Sequence, residues 1–420
     1  MKHPEQWDWD SPRKEIPFAS WQSQFNWVEE PHVSPDGESV AAIVNTGEGE
    51  FKVCINGATW ETSFEKTWHL RFAPDGRLTA IVSESGEWTL AVDGVPWENR
   101  FGYVWEPRFS ADGTSIAVKF QQDMRYGMAV NDAPWATTFA NMTCATLSAD
   151  GRRSAAAVQV ENFGEADIAA FQKGAFSAAL DGQPWDRRFV NVWNMAISPD
   201  GRTLAAEVRL TLYDYTIAVN GEPWGRTFNC VWEPVFDPRD GSVLAPVRQA
   251  GQWTLVRDGS PAWERRFVQL WHPMFSTDGA NLAAIVAPSF GNWTVAVNGT
   301  PWRSTFNELV ADAVFSPDGK RIAAIGKQNG SYHIIVNDSV WPQAFDMAWA
   351  PVFSPDGRQA AAKVQKNGKC SFAIDGRLWS GQAESAWDPV FSPDGRKILF
   401  RTIENGSYVR RVLSVSDIAG

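Results

Sequence analysis

The stretch from Val104 to Phe139 carries the pattern on which the whole chain is built. "VWEPRFS" alternates apolar and polar residues, "ADG" interrupts it, and "TSIAVKF" alternates again. A polar loop follows, then "GMAVND" and "APWATTF". Period-two alternation bounded by Asp-Gly and Asn-Gly-type pairs predicts four strands of five to seven residues joined by tight turns. No segment sustains a helical period. In "VAVNGTPWRSTF", Asn298-Gly299 is the dipeptide that most favours a type I′ hairpin turn, and Pro301-Trp302 and Phe306 follow it.

The pattern recurs along the chain. A tryptophan follows the hairpin turn at Trp21, Trp60, Trp97, Trp135, Trp185, Trp224, Trp263, Trp302, Trp341 and Trp379, at intervals of 37 to 50 residues. S-x-D-G or a close variant places its aspartate at Asp36, Asp75, Asp112, Asp150, Asp200, Asp240, Asp278, Asp318, Asp356 and Asp394. Ten units of about 40 residues with four strands each predict an all-β fold, a β-propeller of about ten four-stranded blades. Residues 16–25, "IPFASWQSQF", match a fourth strand with no strands before it, and the last unit stops after three. An N-terminal strand that completes the last blade leaves no open edge. The expected layout is an extension over 1–15 and a single propeller over 16–420, with a loop insertion at about 159–176. Two five-bladed propellers divided near the long Asp150–Asp200 interval are the alternative.

The turn aspartates read as structural: proline presets φ, aspartate bonds its own backbone, and glycine supplies φ > 0. The ten tryptophans sit where blades splay apart at the rim. With the phenylalanine four residues on (Phe101, Phe139, Phe189, Phe228, Phe267, Phe306, Phe345) they are expected to be structural wedges. Seven more tryptophans follow eight residues after the first set, at Trp68, Trp105, Trp193, Trp232, Trp271, Trp349 and Trp387, before the innermost strand. Packing between blades or lining of a channel mouth are their two expected roles.

Composition narrows the function. The net charge of −11 is spread over interspersed acids and bases, which argues against nucleic acid or an anionic membrane as partner. No run approaches 18 apolar residues, so no direct membrane span is expected, and the start has no signal-like apolar region. Cys54, Cys144, Cys230 and Cys370 form no C-x-x-C pair and read as reduced thiols of a cytoplasmic protein. The histidines (His3, His32, His69, His272, His333) make no ligand pair, and neither a G-x-S-x-G elbow nor a paired-carboxylate or phosphate-loop motif stands apart from the repeats. The reading is therefore non-catalytic, with no cofactor. A site assembled around the channel would escape this search, and a propeller binding a sugar or peptide is the alternative.

"FSPDGKRIAAI" and "FSPDGRKILF" resemble the WD40-like propeller repeat of TolB-type proteins, over nearly the whole chain. The tryptophan content and the start "WDWDSPRKEIPF" are similar to the tryptophan-rich cytoplasmic subunit of Tmc-type transmembrane electron-transfer complexes. That resemblance implies a cofactor-free scaffold, peripheral on the membrane through protein partners that include iron–sulfur and cytochrome b subunits.

The repeat is most informative where it breaks. The unit after Asp150 carries the insertion "VENFGEADIAAFQKGAF" between its second and third strands, with Phe163, Phe171 and Phe176. "QQDMRYG" (121–127) and "RLTLYDY" (209–215), with Met124, Tyr126, Tyr213 and Tyr215, flank it on the neighbouring units. Three irregular loops on one face would make a partner-docking patch, and an insertion merely tolerated and folded back on its own blade is the alternative.

Overall fold

The computed structural model describes residues 4–163 and 167–419; His3 and residues 164–166 of the insertion lie outside them. The strands form ten antiparallel sheets in chain order. We number these blades 1 to 10 by their spans: 27–59, 66–96, 103–134, 142–184, 191–223, 230–261, 269–301, 309–340, 347–378, and 385–414 with Arg13–Ile16. The chain is thus an all-β propeller of ten four-stranded blades; in blades 1, 6 and 9 the inner strand is split into two short pieces. The chain divides into two compact units, Met1–Thr46 with Cys54–Thr59 and Arg265–Gly420, and Gly47–Val53 with Trp60–Glu264. Blades 2 to 6 lie in the second unit and blades 7 to 10 in the first.

The core lies between consecutive sheets. Ala323, Ile325, Ile334 and Val336 of blade 8 pack on Ala360, Ala362, Val364 and Ala373 of blade 9. The second strands read as continuous buried runs rather than as the expected alternation, because a blade covers each face: Ile116–Gln122 is buried from Ile116 to Phe120. Alanine and valine near the axis let sheets approach closely, and the widening gap at the rim is filled by the large rings.

The fourth strands are shorter than the alternation predicts. Only two residues pair, as in Val95–Pro96. The chain then leaves the ladder at the tryptophan and touches it again through an isolated bridge, as Phe101 does with Trp88. That break turns the tryptophan into the gap between blades. The Trp135 indole of blade 3 donates to Ser154 Oγ of blade 4 at 2.9 Å and lies under the next blade's hairpin turn, where a Cβ on Gly182 would sit 3.1 Å from the Trp135 side chain. Trp60 meets Gly94 and Trp185 meets Gly221 in the same way. The turns are type I′, with both central residues at positive φ, as at Asp181 (48°) and Gly182 (79°).

The S-x-D-G turns match the structural reading of their aspartates. Ser198 Oγ donates to Asp200 Oδ1 at 2.6 Å while accepting from Thr203 N at 2.9 Å, and seven other blades repeat this bond from serine to aspartate. In blade 6 Asp237 replaces the serine and is held by Arg239 and Arg257, each at 2.8 Å.

The last blade is completed by the N-terminus, three residues earlier than the repeat suggests. Arg13–Ile16 pairs with 408–411 in four registers, while Phe18–Ser20 and Trp21–Gln24 are short helical turns. The seam with blade 1 is polar. Tyr408 donates to Gly37 O at 2.7 Å, and Arg401 donates to Ser34 O at 3.0 Å. The fully buried Arg410 reaches Asp36 O and Glu38 Oε1, both at 3.1 Å, and also donates to Asp8 O.

Candidate docking surface

Antiparallel order puts the S-x-D-G and hairpin turns of each blade at one end of its strands. The loops between second and third strands and the crossings to the next blade lie at the other end. On blades 3, 4 and 5 these second-to-third loops carry large apolar side chains in solvent: Met124 is 81% exposed, Ile168 72% and Tyr213 79%. Solvent-facing apolar tips of this size add nothing to the fold's own core.

Met124 is also strained. Elsewhere the second residue of these hairpin turns is glycine, as in Asn329-Gly330 and Asn367-Gly368, but in blade 3 both Asp123 (φ 51°) and Met124 (φ 60°) are left-handed. A side chain there costs about 1–2 kcal/mol. Non-glycine residues also take this second position at Asp132 and Asp338 of the other hairpin turns, and there the strain is offset. Asp132 accepts from the backbone N–H groups of Glu98 and Asn99 on the preceding blade, at 2.8 and 3.1 Å. Asp338 does the same for Arg303 and Ser304, at 3.0 and 2.8 Å. Met124 points into solvent, where neither packing nor a hydrogen bond offsets the strain.

The other sequence-predicted residues are placed differently. Tyr126, Phe176 and Tyr215 start third strands, each in an isolated bridge with the phenylalanine of its own blade, Phe139, Phe189 and Phe228. They occupy the repeat position of Trp88, not loop tips. Phe163 and Phe171 are half-buried; Phe171 lies in a short helix, Ile168–Gln172, capped by the Asp167 carboxylate. The root of the insertion is fixed by Val160 N donating to Ala175 O at 2.8 Å and by a Glu161–Arg188 ion pair. Two exposed residues escaped the sequence reading. Ile168 sits inside the insertion, and Phe290, 92% exposed, tips the corresponding loop of blade 7. The signal at Phe290 is an aromatic in "PSFGN", where other loops have polar residues and glycine.

The second tryptophan set takes a role that was not anticipated. Three of these rings stack on the third-strand aromatic of their own blade, across the second strand, and Trp105, Trp271 and Trp387 meet theirs edge-on or tilted. Trp232 lies on Trp253 at 5.4 Å between centroids and 4° between planes, Trp68 on Trp88 at 5.1 Å, and Trp193 on Tyr215 at 6.0 Å. The signal was available, because blades with an inner tryptophan tend to have an aromatic there. Beside three of these rings the inner strand bulges at His69, Glu106 and His272, as it does at Asp312 of blade 8, all at positive φ. The Glu106 carboxylate meets the buried Lys119 ammonium at 2.5 Å. Glu207 is buried and, among the described residues, accepts only from the Asn194 amide, at 3.3 Å. Burial, with Glu233 nearby, pushes its carboxyl up to about 7.

All four cysteines are free thiols, and burial pushes Cys54 up to about 11. Among the described residues no three His, Cys, Asp or Glu side chains come together as a metal-binding group, and no helix is long and apolar enough to cross a membrane.

No protein-family model matches the chain, and no curated protein does. Solved structures resemble it at low identity. A eukaryotic initiation factor aligns over 90% of this chain and 89% of its own, at 13% identity and a TM-score of 0.46. The β-propeller domain of Myceliophteria thermophila Cps50 (Swd1) covers 65% of this chain and 96% of its own, at 12% identity and 0.30. The dihydro-heme d1 dehydrogenase NirN, in complex with DHE, covers 83% and 72%, at 15% and 0.37. The class, a β-propeller, rests on the ten sheets themselves.

Proposed function

We propose that this propeller is a non-catalytic interaction scaffold that docks a protein partner on the second-to-third loops of blades 3 to 5. The observation that carries the reading is Met124, a strained and exposed apolar residue where the repeat elsewhere has glycine. Strain that nothing local offsets persists where something outside the fold makes use of it. The particular assembly we propose is a membrane-bound redox complex, in which the chain is a tryptophan-rich cytoplasmic subunit held by iron–sulfur and cytochrome b partners. Its support is the sequence resemblance described above.

The test is purification from native cells in mild detergent, with mass spectrometry and a visible spectrum of what co-elutes. Haem and iron–sulfur absorbance that disappears in a Met124→Asp/Tyr213→Asp variant is the expected result. A colourless protein eluting alone overturns the redox assignment. Co-elution unchanged by the double variant overturns the docking face.

A further inference from the structure

The apolar tips have an acidic neighbour. The same-side loops of blades 1 and 2, within the unit that holds blades 2 to 6, present Glu48, Glu50, Glu84 and Glu87, all exposed. The carboxylates of Glu48 and Glu87 make no ion pair, and neither does that of Asp123 beside Met124. Glu84 has only the Arg100 guanidinium, at 3.8 Å.

Three arginines near the apolar tips are engaged by groups of their own blades. Arg125 donates to the Thr138 hydroxyl at 2.8 Å, and Arg209 donates to the carbonyls of Thr211 and Leu212 at 3.0 and 2.7 Å. Arg188 is bound to Glu161. The face therefore offers solvent apolar anchors and unpaired negative charge, and most of its positive charge is in use, Lys173 at the end of the insertion's helix being the exposed exception.

We propose that the partner reaches this face through a protein segment bearing apolar side chains flanked by lysine or arginine. Apolar side chains of the segment pack on the tips of blades 3 to 5, Met124 and Tyr213 among them, while its cations lie over the glutamates of blades 1 and 2. This rests on the docking reading above and adds the chemistry of the occupant. Complementary charge steers the encounter and fixes orientation, while desolvated apolar contacts hold the complex. An anionic lipid surface is the wrong occupant, because it attracts basic faces and this one repels it.

The experiment uses the full chain and three probes. These are a 20-residue peptide of leucine and lysine with a photo-crosslinker, the same peptide with glutamate for lysine, and vesicles with a phosphatidylglycerol fraction. The lysine peptide is expected to bind and to crosslink at 121–127 or 209–215. Its affinity should weaken about tenfold between 50 and 300 mM salt, and about fivefold in Glu48→Gln/Glu84→Gln/Glu87→Gln, whose exposed positions leave folding intact. Equal binding of the glutamate peptide, crosslinks confined elsewhere, or retention on the vesicles overturns the inference. The native partner separates the two readings: release by Met124→Asp/Tyr213→Asp with no response to the triple variant or to salt keeps the docking face and removes the basic segment.

Discussion

The side chain of Trp135 lies against Gly182 of the following blade so closely that a Cβ on that glycine would stand 3.1 Å away. This contact ties two sequence signals, the glycine of a hairpin turn and a tryptophan some 40 residues before it, into one interlock repeated between blades.

Trp135→Ala is expected to lower stability by about 3–5 kcal/mol, since it opens a rim cavity and leaves the Ser154 hydroxyl without its indole donor. Urea unfolding measures it; a loss below about 1 kcal/mol would mean that the rim gap closes without the wedge.

The same replacement is expected to act in opposite directions at two left-handed positions. Met124→Gly should stabilise the fold by about 1 kcal/mol while weakening the partner. Asp132→Gly relieves similar strain but loses the three bonds its carboxylate accepts from Glu98 and Asn99, so it should destabilise by about 1 kcal/mol. Paired denaturation curves decide; equal signs would contradict the view that only Asp132 is offset by contacts within the fold.

Glu207 should make stability depend on pH. Its carboxyl binds a proton more tightly in the folded protein, at about 7, than at its ordinary 4.5. The stabilisation is full below about 4.5 and is lost as pH rises through about 7, a change of order 3 kcal/mol. Glu207→Gln should flatten this slope in melting curves taken from pH 5 to 8, and an unchanged slope would place its origin elsewhere.

At the seam of the last blade, Tyr408→Phe removes the hydroxyl that donates to Gly37 O at 2.7 Å, leaving a buried carbonyl short of a partner. A loss of about 1–2 kcal/mol is expected in thermal unfolding.

The repeat made the fold legible because its turn residues and alternation point to the same strands. Blade number, the structural turn aspartates and the N-terminal closing strand all follow from it. Strand length at the rim was not legible, because alternation continues past Trp97 although the ladder breaks there. The insertion's phenylalanines looked like loop tips because sequence does not show that Phe176 opens a strand, or that Phe171 is half-buried in a short helix. Met124 was visible as an irregular loop residue. Its strain was not, since φ depends on a turn type that methionine does not announce.

The ladder between Arg13–Ile16 and residues 408–411 also sets a timetable. The outer strand of that blade leaves the ribosome nearly 400 residues before the strand it pairs with. At about 5–20 residues per second, the wait is roughly 20–80 s. Throughout that interval a nascent chain carries a bare strand that nothing yet synthesised can cover. A transcript cut short before residue 408 would release a polypeptide whose first strand has no place to go, a ready substrate for chaperones and proteases.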